Sequence, residues 1–282
     1  MFRLSLLALL FTQAQDEKTY DIRFIRKPVV DRRMDFSGAM TASLKIVMSR
    51  KGEELKKIDV AAETEIAGTW IVTRMRRDES PAAATWEFTK ATRTLNGKRS
   101  SLGIELETID VAWPEGGPPT YALRSGRRLS AGDQNLFHSA VASEAEPETD
   151  LYRPKKPVRV GETWIPDVAK LGADLIGSEG DAKSAKGGFT IKSVATSDAG
   201  EIATISGSVT VDILKLNGRS LHKPLPMKIT IEGTLGIGAC AAKSLTTTVA
   251  VRGTTTTDLD GEPVDVDVDV AVTLKDAEQP AK

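Results

Sequence analysis

The strongest constraint on this chain is period-two alternation of apolar and polar residues, which recurs from near the start of the sequence almost to its end. Tyr20, Ile22 and Phe24 fall on one face of an extended segment, with Asp21, Arg23 and Ile25 on the other. Residues 39–48 and 55–66 repeat the pattern. Residues 68–76 set Trp70, Val72 and Arg74 opposite Ile71, Thr73 and Met75, residues 84–95 alternate around Trp86 and Phe88, and residues 102–113 continue through Ile104, Leu106 and Ile109. After a break the pattern resumes in 189–196, 201–216, 227–236, 245–257 and 264–274. Successive side chains point to opposite faces of a strand, so these stripes specify one buried and one wet face, as in antiparallel sheets. Asn96-Gly97, Asn217-Gly218 and Asp260-Gly261 supply the positive φ angles of tight hairpins. The expectation is a mainly β fold: two curved, antiparallel, strand-rich halves, read as a pseudo-duplicated half-barrel with one or two short helices at the junction.

The break defines the organisation. Ser130 is placed to cap a helix, with Asp133 three residues on and Leu136, Phe137, Ala140 and Val141 at helical spacing. Residues 166–176 predict a second short helix, with Pro166 in its first turn and Val168, Leu171, Leu175 and Ile176 on one face. Between them, residues 144–157 are rich in charge and carry Pro147, Pro154 and Pro157, the composition of an exposed linker. The resulting division is an N-terminal β-rich half at 15–143, the linker at 144–157, a C-terminal β-rich half at 158–276 and a disordered tail at 277–282.

Residues 1–14 have the layout of a secretory signal peptide. Arg3 precedes an apolar run over 4–11, and Thr12-Gln13-Ala14 offers small residues for cleavage near Ala14. The run is shorter than the roughly 20 residues a membrane-spanning helix needs, and no later segment reaches that length. The expectation is export to the periplasm or beyond, with no transmembrane segment in the mature chain. The net charge of −1 shows no basic excess, which argues against nucleic acid as a partner. Cys240 is the single cysteine, so no internal disulfide forms, and its Gly-Ala-Cys-Ala setting reads as a tightly packed, inert thiol.

One local pattern stands out: Lys156-Pro157-Val158-Arg159-Val160-Gly161-Glu162-Thr163-Trp164. It resembles the KPV-x-VG-x-TW signature of a set of exported bacterial β-rich proteins of unknown function, in which strand-rich halves flank the segment. The resemblance implies a curved sheet and an exported location, and it carries no catalytic residues or cofactor. Independently of it, Pro157 sets an extended approach, Gly161 permits positive φ, Thr163 serves nearby backbone groups and Trp164 buries a large ring. The segment therefore reads as a structural corner.

The search for chemistry yields little. The two histidines, His138 and His222, have no Gly-x-Ser-x-Gly elbow to serve, and with Cys240 they make poor material for zinc. The glycines at 233, 236 and 238 lack the order and the following helix of a phosphate loop. In the acidic stretch near the C-terminus, Asp258 and Asp260 are weak calcium candidates beside Gly261. Asp265, Asp267 and Asp269 alternate with valines and share one face, the mark of a solvated strand that discourages edge-to-edge pairing. No catalytic residue and no cofactor is expected.

These observations point to a non-catalytic exported module that holds a lipid or other apolar ligand in a concave sheet. The alternative is an envelope protein, structural or interacting, that presents a sheet surface to a protein partner. An uncharacterised hydrolase ranks third.

Overall fold

The computed structural model describes residues 18–24, 29–77, 80–115, 117, 119–130, 134, 151–168, 178–198, 200–216, 218–238 and 240–281. Twelve strands form one open, curved, antiparallel sheet. In chain order they are β1 (Arg33–Arg50), β2 (Glu53–Met75), β3 (Pro81–Leu95), β4 (Lys98–Ser101), β5 (Thr108–Ala112), β6 (Thr120–Leu123), β7 (Thr163–Trp164), β8 (Ser178–Ser197), β9 (Gly200–Leu216), β10 (Arg219–Gly236), β11 (Lys243–Leu259) and β12 (Glu262–Pro280). The spatial order is β6-β5-β3-β2-β1-β12-β11-β10-β9-β8-β7, with β4 beside β3.

The first and last long strands thus meet at the centre. β1 and β12 pair continuously from Met34↔Pro280 to Ser49↔Asp265. The two strand-rich halves are therefore one sheet, joined by the pairing most distant in sequence. They are not matched strand for strand: β4, β5 and β6 have 4, 5 and 4 residues, whereas β8 to β12 run from 17 to 20. The sequence-based tail at 277–282 needs correction, because Ala277–Pro280 belong to β12 and pair with β1 as far as Met34. The role expected for the acidic strand also changes. β12 lies between β1 and β11, so its aspartates guard no edge. Asp269 instead accepts from Arg252 at 2.8 Å and faces Lys45 across β1.

Turn chemistry explains the hairpins. Asn96-Gly97 and Asp260-Gly261 adopt φ of 48° and 79°, and of 57° and 79°, the doubly positive pattern of two-residue hairpin turns. Lys51-Gly52 does the same between β1 and β2, with φ of 51° and 86°. Where β3 stops short of the end of β2, the side chain of Asn96 accepts from the Ala61 amide at 2.9 Å, and the Asn96 amide donates to the Ala61 carbonyl. Beyond that point β2 carries Glu53, Glu54, Lys56, Lys57 and Asp59, the charges that discourage strand addition at an unpaired edge.

The two helices predicted at the junction lie almost wholly outside the described residues, where only Gln134 and Val168 are helical. The signal peptide at 1–14, residues 144–150 of the linker and His138 also lie outside them. Residues 151–157 are not a free linker: Leu151 and Tyr152 pack on the core and Pro154 is buried.

Candidate functional site

Registers across the sheet place the apolar stripes of all the long strands on one face, the inner face. Trp86, Trp70 and Met34 face one another in one row, and Ile58, Ile46 and Val268 in another. Two buried clusters occupy this face. The first lies over β8 to β12, where Phe189, Val209, Met227 and Ile229 are fully buried. The second lies over β2, β3 and β5, where Trp70 stacks on Trp86 with ring centroids 5.5 Å apart.

The KPV segment lies against the first cluster at one end of the sheet. Val158 pairs with Tyr20 through hydrogen bonds of 2.8 and 3.0 Å, and this lays Ile22 and Phe24 on the sheet. Gly161, at φ 84°, donates to the Ile191 carbonyl at 2.8 Å. The Thr163 hydroxyl lies 2.9 Å from that of Thr190, and Pro157 is exposed. Trp164 is buried edge-on to Phe189. The Arg159 amide and Lys156 hold the Glu162 carboxyl below its ordinary range.

Between the clusters the inner face changes character. Met40 and Leu44 on β1, Ile58 and Val60 on β2, and Val272 and Leu274 on β12 point to the inner face, yet all are only half-buried and belong to neither cluster. Leu95 extends the strip on β3, opposite Ala62, and is 40% exposed. From sheet spacings the strip measures about 20 Å along the strands and about 10 Å across. A strip of that kind contrasts with the outer face, where Asp265, Asp267 and Asp269 alternate with the valines.

Polar groups interrupt the strip at one end. Elsewhere in the sheet Thr85, Thr255 and Thr257 are buried and each hydroxyl donates, to Asp110 and to the carbonyls of Lys223 and Ser220 respectively. Thr64, also buried at 8% exposure, faces Met40 on the inner face, and its hydroxyl has no hydrogen-bond partner among the described residues. Asp276 and Glu278 also point inward, opposite Gly38 and Phe36. The ammonium of Lys243 lies 2.5 Å from Asp276 and 3.9 Å from Glu278. Lys243 and Glu278 side chains are each 11% exposed, whereas that of Asp276 is 47% exposed. Charges on an otherwise apolar face carry a desolvation cost, which the close pairing offsets only in part. None of Thr64, Lys243, Asp276 and Glu278 is singled out by sequence reasoning; the signal available was their intrusion into inward-facing positions of apolar strands.

The sequence-based candidates are dispersed. His222 lies 3.2 Å from Asp258, both on the exposed rim, and Asp260 forms the β11–β12 turn. Asp258 and Asp260 therefore join no ligand cluster, and among the described residues no three His, Cys, Asp or Glu side chains gather to hold a metal. Cys240 is buried, and a Cβ at Gly236 would come within 2.7 Å of its sulfur, which explains the small residues around it. Among the described residues no helix is long and apolar enough to cross a membrane.

Fold and site define a class: an open antiparallel sheet whose inner face is sealed at two places and half-covered between them. No protein-family model matches the chain, and no curated protein matches it. Among solved structures it is similar to one described as lipid–protein interactions in lipovitellin, at 8% identity and a TM-score of 0.30 over 90% of this chain. The chain spans 26% of that protein's length. It is also similar to the outer membrane protein OprG of Pseudomonas aeruginosa, at 10% identity and a TM-score of 0.13, covering 90% of this chain and 99% of that one. Likenesses this shallow carry no functional weight.

Proposed function

We propose that this chain is an exported, non-catalytic module that binds a lipid or other apolar ligand on the inner face of its sheet. The observation that carries the reading is the strip of Met40, Leu44, Ile58, Val60, Val272 and Leu274, half-buried between two sealed cores. A sheet face that completes its burial on either side but not in the middle has apolar area left for a guest. Covering such area yields about 25 cal/mol per Å² before ordering costs. Narrow apolar recesses with a few polar groups at one end are the usual form of small-molecule sites.

The test is displacement of a hydrophobic fluorescent dye by single-chain lipids, run beside native mass spectrometry of protein purified from its own host. A bound apolar molecule of constant mass, together with dye displacement, supports the reading. Protein that arrives empty and a dye signal unmoved by any lipid would remove it.

A further inference from the structure

We propose that the guest of this strip is a single-chain amphiphile with an anionic head, held by Arg93 and Lys98 at the β3–β4 border of the inner face. The inference rests on the apolar-ligand reading and specifies the chemistry of the guest's polar end. Registers place both cations beside the strip. Arg93 pairs with Thr64 and Leu95 with Ala62 between β2 and β3, and Leu95 pairs with Lys98 between β3 and β4. Paired residues share a face, so Met40, Thr64 and Arg93 form one inward row, and Ala42, Ala62, Leu95 and Lys98 the next. Arg93 and Lys98 are diagonal neighbours on that face, about 7–8 Å apart at their bases, a gap two long side chains can span.

Charge selects the head. Arg93 and Lys98 are exposed, and neither makes an ion pair with a described residue. No acid occupies the inward positions of β2 from Lys56 to Ile66, of β3 from Ala91 to Leu95, or of β4. Glu63 and Glu65 lie on the outer face, where Glu65 takes Lys90 at 2.7 Å. Glu105, at the edge of β3, accepts from the Ser101 hydroxyl and the Ala91 amide. The inward carboxylates of Asp276 and Glu278 are on β12, three strands from β3 and beside Lys243. Three strand spacings are about 14 Å, beyond the roughly 8 Å over which exposed charges act in physiological salt. A cationic head would be repelled by this border, whereas an anionic one gains charge-assisted hydrogen bonds from both side chains.

Thr64 stands where strip and cations join. Its hydroxyl has no hydrogen-bond partner among the described residues, and its register neighbours on the inner face are Met40 on one side and Arg93 on the other. A buried hydroxyl left without a partner is costly, and an oxyanion beside Arg93 brings an acceptor to that side of it. The alkyl chain then runs over Leu95, which is 40% exposed, and onto Val60 and Leu44.

The experiment compares decanoate, decanol and decylamine, each below its solubility or micelle limit, by titration calorimetry on the purified protein at neutral pH. Decanoate is expected to bind about fivefold or more tighter than decylamine. Arg93→Gln combined with Lys98→Gln should weaken decanoate about fivefold and leave decanol unchanged, a split that lost packing would not produce. Both side chains are exposed, so the doubly substituted protein should keep its melting temperature within a few degrees. Should it fold poorly, the wild type still decides: the preference for decanoate over decylamine must shrink as salt rises. Equal affinities for anion and amine, or a preference for the amine, overturn this inference alone. Failure of all three ligands to bind overturns the apolar-ligand reading with it.

Discussion

The indole nitrogen of Trp164 donates to the backbone carbonyl of Tyr152 at 2.9 Å, tying the end of the corner segment to the chain just before its start. The same ring stands edge-on to Phe189, whose side chain is fully buried on β8. One residue thus fixes a loop, the short strand β7 and the edge of the first core. Trp164→Phe keeps an aromatic ring but loses the hydrogen bond and part of the volume. It should lower unfolding stability by about 1–3 kcal/mol, and Trp164→Ala by about 3–5 kcal/mol. Urea unfolding followed by far-UV dichroism checks both, since the remaining tryptophans complicate a fluorescence readout.

Two glycines should respond in opposite degree. A Cβ at Gly68 would lie 2.0 Å from the carbonyl oxygen of Glu87, because β2 and β3 change register there and their backbones approach closely. Gly261 has open space around it and needs alanine only to accept φ of 79°. Gly68→Ala should cost more than about 3 kcal/mol or prevent folding, whereas Gly261→Ala should cost about 1 kcal/mol. Equal thermal shifts for the two variants would contradict this account of the bulge.

How much of this was legible beforehand differs from residue to residue. Alternation identified the strands and the inward residues, because burial of one face imposes the period directly. The hairpins at Asn96 and Asp260 carry recognisable turn residues, while Lys51 takes positive φ without such a mark; the turn expected at Asn217 falls on a residue outside the described ones. The pairing of β1 with β12 was invisible, since nothing local in either strand names a partner so distant in sequence. For that reason sequence alone marks the aspartates of β12 as edge guards and residues 277–282 as a tail. The strip was hidden for a related reason: Leu44 and Val209 occupy equivalent places in their alternating patterns, yet one is half-buried and the other fully buried. Alternation reports which face a residue takes, and only the tertiary arrangement decides how fully that face is covered.

The end of β12 offers a direct check on that arrangement. Removing residues 277–282 deletes the partners of Met34 and Phe36 and takes Glu278 from the nearly buried Lys243. The truncated chain should lose about 2 kcal/mol or more of stability. A dispensable tail would leave the urea midpoint unchanged.

Acid sensitivity follows from Asp110. Its hydrogen bond with Arg124 holds the carboxyl below its ordinary range, with Thr85 adding to the effect. A carboxyl depressed in the folded state binds its proton more weakly there than in the unfolded chain. Its contribution to stability is therefore complete above the unfolded value near 3.8 and fades as pH falls through the lower folded value. Asp110→Asn should flatten the acid limb of the stability curve in that window and alter neutral stability by less than about 1 kcal/mol, since the pair is half-exposed. Thermal melts of both proteins between pH 2 and pH 7 measure it.

The strip itself is open to a separation of stability from binding. Leu44 and Val60 face each other across β1 and β2, and both are half-buried. A polar residue at either place forfeits only the burial already achieved, so Val60→Thr or Leu44→Gln should cost about 1 kcal/mol or less. The same change sets a hydrogen-bonding group against the guest, whose alkyl chain can satisfy none of it. Ligand affinity should therefore fall by about tenfold or more while the melting temperature moves by a few degrees. At the fully buried Met227 the order reverses: Met227→Ala should cost about 2–5 kcal/mol and leave affinity almost untouched in the protein that remains folded. If dye displacement instead tracks stability across all three variants, the strip is merely an incompletely covered part of the core and holds no guest.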